Sequence, residues 1–164
     1  MRRHFSTLAY LCVASAAQGQ GGDAVQNWFD DPFFQLSSFI ADCPTPAGPF
    51  VSESERRVQA HRRLEKGTTC WLAHECERPN AYAYDQDIAQ AIQAAAQEPS
   101  RFQDTSLWVT VQGRVVYIEG CAGSEATAQA LEAFARALPY VQQAIAIIRT
   151  QPMERPPYKV LQSK

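Results

Sequence analysis

Between residues 85 and 150 the spacing of apolar positions changes several times, and each change predicts an element. Ile88, Ala91, Ile92 and Ala95 recur at helical spacing, with Asp85 placed to cap the start, Asp87 in an acidic first turn and Pro99 as the stop. From Leu107 the pattern alternates. Leu107, Val109 and Val111 take one face, and Trp108, Thr110 and Gln112 take the other, as on a strand covered on one side. Gly113 marks a turn, and Val115 to Cys121 reads as the return strand. A two-residue loop at Gly113-Arg114 sets Val111 against Val116, Val109 against Ile118 and Leu107 against Gly120, so each large apolar residue on that face meets a partner or a glycine. The rival loop at Gln112-Gly113 sets Val111 against Arg114, and the first register is preferred. Ser124 caps a second helix running to about Ala137, with Ala128, Leu131, Phe134, Ala135 and Leu138 along one side and Pro139 as the breaker. Val141 to Arg149 forms a third strand. Its nearly continuous apolar run from Ala144 to Ile148 predicts a central or doubly covered place in the sheet.

Residues 27–80 hold too few periodic apolar positions for a core of their own and read as an extension leaning on the C-terminal half. An aromatic cluster comes first: Trp28, Phe29, Phe33, Phe34 and Phe39. It admits two uses, packing onto the domain core or, left exposed, docking a partner. Cys43 to Pro49, with three prolines, is a turn-rich connector. Ser52 and Glu55 make a capping box, and Gly67 after Lys66 supplies a stop, which predicts a helix carrying Arg56, Arg57, His61, Arg62, Arg63 and Lys66 against only Val58 and Leu64. That face suits phosphate head groups or simply water. Thr68 to Asn80 reads as a disulfide-pinned loop with Trp71 over the bridge, and Pro152 to Lys164 as an extended tail.

The N-terminus decides the compartment. Arg2, Arg3 and His4 precede an apolar run, and Ala14-Ser15-Ala16 offers a cleavage pattern, the anatomy of an export signal over residues 1–16 followed by a flexible stretch at 17–26. The run is too short to cross a bilayer, which needs roughly 20 apolar residues. Cys12 fills that run, leaving Cys43, Cys70, Cys76 and Cys121. An even number in an exported chain reads as two disulfides. Of three connectivities, Cys70 with Cys76 and Cys43 with Cys121 is favoured. A metal site with His61 or His74 competes, but the gap between Cys70 and Cys76 exceeds the usual zinc spacing. The net charge of −2 becomes −4 once the two positive charges of Arg2 and Arg3 are set aside, a poor balance for nucleic-acid binding.

Asp87-Ile88-Ala89-Gln90-Ala91-Ile92, the hairpin Val109 to Gly120, and Leu138-Pro139-Tyr140-Val141-Gln142-Gln143-Ala144 give residues 82–150 an order of elements that resembles the BON family of bacterial periplasmic domains. The resemblance implies an α+β fold of order αββαβ, a three-stranded sheet with two helices on one face, here preceded by the partly helical extension and followed by a tail at 151–164. Tyr140 stands where the family usually has glycine, and Ala146 where it usually has asparagine. Gly113 and Gly120 serve the fold, Gly120 by close helix–strand packing. Family membership further implies contact with phospholipid or another envelope protein and no catalytic site. Together with the export signal, the cysteine spacing and the acidic balance, the expectation is a periplasmic protein, peripheral to a membrane, with no cofactor, metal, nucleic-acid partner or small-molecule substrate. No nucleophile elbow, phosphate loop or His-Glu-x-x-His occurs in the chain. The expected binding surface combines Arg56, Arg57, Arg62 and Arg63 with Trp108 and Tyr117. Trp28, Phe33 and Phe34 form the alternative contact, for a protein partner.

Overall fold

Four strands form the sheet where three were expected, and the additional one comes from the extension. The computed structural model describes residues 24–97 and 99–161, so the expected leader (1–16) and most of the 17–26 stretch lie outside the described residues. In chain order the elements are β1 (Phe33–Ser38), α1 (Glu53–Leu72), α2 (Asp85–Ala95), β2 (Thr105–Gln112), β3 (Val115–Ala122), α3 (Glu125–Arg136) and β4 (Gln143–Arg149). The sheet order is β1-β2-β3-β4, with β1 and β3 antiparallel to β2 and β4 parallel to β3. β1 hides well in the sequence because it is short and bulged: Leu36 interrupts the register between Gln35 and Ser37, which breaks the alternation that reveals a strand.

The hairpin has the expected register: Val111 pairs with Val116, Val109 with Ile118 and Leu107 with Gly120. Gly113 and Arg114 both have positive φ, 61° and 68°, the backbone of the tight turn whose twist matches its strands. Leu107, Val109, Val111, Val116 and Ile118 line one sheet face. Ile88 and Ile92 of α2 and Leu131 and Ala135 of α3 cover it, so both helices sit on the same side. Phe34 and Leu36 of β1 extend this core. Phe33, on the opposite face, packs edge-on against Phe50 at 5.7 Å.

Several local expectations are corrected. α1 runs through Gly67, because a mid-helix glycine costs only about 1 kcal/mol and this one is buried against the Asn80 side chain, where a Cβ would not fit. The helix stops at a Schellman arrangement instead: His74 takes φ 58°, its N–H donates to the Trp71 carbonyl, and the Glu75 N–H donates to the Cys70 carbonyl. Trp71, expected over the bridge, stays 45% exposed. β4 is an edge strand, not a central one. Its apolar run divides between Ala144, Ala146 and Ile148 on the core side and Ile145 and Ile147 on the other, while the Glu132 carboxylate of α3 accepts a bond from the Ala146 N–H. Gly120 does not serve helix packing. Its φ is 150°, and a side chain would run into the Ser106 carbonyl of the neighbouring strand.

Two disulfides brace the fold. Cys43–Cys121 ties the connector to β3, and Cys70–Cys76 closes the end of α1. Among the described residues, all four cysteine sulfurs are held in these two bridges. The hydroxyl of the buried Tyr158 lies 3.6 and 3.9 Å from the two sulfurs of the first bridge and donates to the Pro44 carbonyl at 2.9 Å. Backbone bonds from Ala47 N to Lys159 O and from Leu161 N to Thr45 O clip the tail to the connector.

Candidate functional site

α1 lies beside the hairpin, and between them is a groove of about 230 Å³ lined by Gln59, Arg62, Arg63, Lys66, Tyr82, Gln112, Gly113, Val115 and Tyr117. Gln59, Arg62, Arg63 and Lys66 share one flank of α1 because they follow the i, i+3, i+4, i+7 spacing of a helix face. Val115 and Tyr117 come from the sheet face opposite the core. Tyr82 belongs to a one-turn 3-10 segment, Ala81–Tyr84, whose start is capped by the Asn80 side chain accepting from the Tyr82 N–H.

The groove is anchored by one buried ion pair. Arg63 donates two bonds to the Asp31 carboxylate, at 2.9 and 2.5 Å, and Gln112 Nε2 donates a third at 2.6 Å. The Arg63 guanidinium lies 4.2 Å from the Phe29 ring and 3.8 Å from the Tyr82 ring. Three chain regions meet there: the extension (Phe29, Asp31), α1 (Arg63) and the domain (Tyr82, Gln112). The charge of Arg63 is therefore spent internally. Arg62 and Lys66 are exposed, and no ion pair among the described residues engages them. Burial pushes the Tyr82 hydroxyl's ionisation up, so it remains a neutral donor at neutral pH.

Behind the groove, Asp85 holds the hairpin turn. It is the first residue of α2, not its cap. Its carboxylate accepts from the Gly113 N–H at 2.6 Å and the Arg114 N–H at 2.8 Å. Burial pushes the carboxyl up to about 6; the two amide bonds and the Arg63 charge pull it down, and Asp31 pushes it further up. The native state thus binds this proton more tightly than the unfolded chain does. The stabilisation is complete below pH 4 and is lost as pH rises through about 6. Measured by urea unfolding, the stability advantage of the wild type over Asp85→Asn is expected to shrink by about 2 kcal/mol between pH 4 and pH 7. An advantage constant with pH would show that this carboxyl does not titrate there.

The expected binding residues separate into groups. The groove unites Arg62, Arg63, Gly113 and Tyr117. Arg56 is turned to a two-point bond with Glu53 and to the Trp28 ring, and Arg57 lies exposed outside the groove. Trp108 sits opposite Gln35 and Glu119, half-buried and away from the groove lining. Trp28 donates its indole N–H to the Val51 carbonyl, Phe34 packs on the core and Phe33 on Phe50, so this strip is used within the fold. Sequence reasoning missed Tyr82 and Gln112. Tyr82 had a signal, the Tyr-Ala-Tyr step just before a helix start; a lone glutamine at a strand end carries none.

This is a disulfide-braced α+β protein whose four-stranded sheet has two helices on one face and a basic groove at the other. The family model of the BON domain matches residues 84–150, and this segment, under half of the chain, is a BON domain. No curated protein and no solved structure matches the chain.

Tyr140 accounts for one departure from the family pattern. Its φ is 67°, a backbone region that favours glycine, the family's usual residue at that place. Tyr140 is held there by ring contact with Tyr84 at 5.1 Å and by Arg114 Nε donating to its carbonyl.

Proposed function

We propose that the protein is a non-catalytic periplasmic protein that binds phospholipid at a membrane surface, with residues 27–80 as an accessory extension to the 82–150 domain and 151–164 as its tail. The observation that carries this reading is the set of exposed cations on α1, Arg57, Arg62 and Lys66, which no ion pair among the described residues engages, beside a domain of an envelope-associated family. Two disulfides agree with an oxidising compartment, which the expected export signal would reach. No helix among the described residues is long and apolar enough to cross a membrane, so contact through α1 would be peripheral.

At roughly 1 kcal/mol for each cation near an anionic surface, three cations give weak binding that salt removes. Co-sedimentation with vesicles of phosphatidylglycerol and phosphatidylethanolamine is expected at low ionic strength and lost at high. No binding at low ionic strength would overturn the reading. The alternative, an accessory or scaffold protein docking an envelope partner through Trp28, Phe33 and Phe34, draws less support, because those rings are occupied within the fold.

A further inference from the structure

We propose that the groove between α1 and the β2–β3 hairpin is a discrete phosphate-recognition site, built jointly by the extension and the BON domain, in which Arg62 and Lys66 hold one phosphoryl group. Its chemistry stands on the groove itself; only the assignment of that phosphate to a lipid headgroup rests on the phospholipid reading above.

The charge balance defines the ligand. Three cations line the groove, but Arg63 is neutralised by Asp31 and fixed between two rings, so it serves as wall and not as ligand. Arg62 and Lys66 are two exposed cations that no ion pair among the described residues engages, and their excess positive charge complements a phosphoryl group. They are one turn apart on α1, able to approach one anion from the same side. Tyr117, Tyr82 and Gln59 also line the groove and carry groups able to donate to an anion. Phosphate presents more acceptor oxygens than a carboxylate and so uses such a mixed set of donors more fully. Two free cations fall short of the dense array that nucleic acid requires.

Size narrows the class. A space of about 230 Å³ lies below the range of roughly 300–1,000 Å³ typical of pockets that enclose a drug-sized ligand. It accommodates a phosphate with a small polar body such as glycerol. Val115 and the tyrosine rings give that body an apolar wall. The 84–150 segment supplies only Gln112, Gly113, Val115 and Tyr117, and every cation comes from α1. A recognition role therefore falls to residues 27–80, which would otherwise only brace the fold.

The test follows amide NMR shifts of the full chain during titration with glycerol 1-phosphate, and vesicle co-sedimentation in parallel. Both are done for the wild type, for Arg62→Gln/Lys66→Gln, and for Arg155→Gln/Lys159→Gln, which removes the same charge from the tail. The proposal expects saturable shifts at Gln112, Gly113 and Tyr117, weakened about tenfold or more in the groove variant and within about twofold of wild type in the tail variant. Vesicle binding that both variants lose equally overturns the groove while leaving the phospholipid reading intact. Glycerol phosphate binding that depends on Arg62 and Lys66, without vesicle binding, supports the groove with a soluble phosphate source and overturns the lipid reading. No saturable shift with glycerol 1-phosphate overturns the site.

Discussion

Replacing Arg63 with alanine is expected to cost about 3–5 kcal/mol of folding stability, the price of leaving a buried charge without its partner. Asp31 is 5% exposed and accepts two bonds from Arg63 and one from Gln112, which alone cannot offset the carboxylate's desolvation. The same truncation removes the guanidinium from between Phe29 and Tyr82, so packing is lost along with charge. Arg63→Lys should recover part of the loss, since a lysine keeps the charge but neither the two-point geometry nor the flat stacking surface. Urea unfolding of the three proteins measures this order. A cost below about 1 kcal/mol for Arg63→Ala would mean that the pair behaves like an exposed ion pair and does not anchor α1.

The second large effect belongs to the Cys43–Cys121 bridge. It closes a loop of sequence separation 78, for which the chain-entropy relation gives about 4.5 kcal/mol, whereas the six-residue separation of Cys70–Cys76 gives about 2.4 kcal/mol. Cys43→Ser/Cys121→Ser should therefore lose more stability than Cys70→Ser/Cys76→Ser, with the two variants compared by the same unfolding experiment. The larger loss has a structural correlate: the first bridge pins the connector against β3 beside Tyr158, and the tail is clipped to that connector. Equal losses would show that the connector holds its place without the bridge.

How much was legible in the sequence depended on whether local pattern and local chemistry agreed. The hairpin register followed from apolar pairing and turn geometry alone, because moving the two-residue loop back by one residue would place Val111 against Arg114. Parity gave two bridges with three connectivities, and the favoured one, resting on the short gap from Cys70 to Cys76, is the one the fold holds. β1 was hidden since its bulge at Leu36 breaks the alternation, and its partner strand lies some seventy residues away in sequence. Gly67 misled as a helix stop because its reason is the tertiary contact with Asn80, while the actual stop is His74, a residue type less marked for that conformation. Asp85 looked like a cap, yet its carboxylate reaches the hairpin turn, a use that depends on the fold. For the site, the cations of α1 and Tyr117 were visible as residue types. That Arg63 would be spent on Asp31, leaving Arg62 and Lys66 free, could be read only from the packed chain.

The central claim is that α1 and the hairpin turn together face a phospholipid surface. Hydrogen exchange of the full chain, with and without phosphatidylglycerol-containing vesicles at low ionic strength, tests it most directly. The account predicts added protection in the amides around Arg62 to Lys66 and Gln112 to Tyr117, with α3 and β4 unchanged. Protection confined to α3 and β4, or none anywhere, would contradict it.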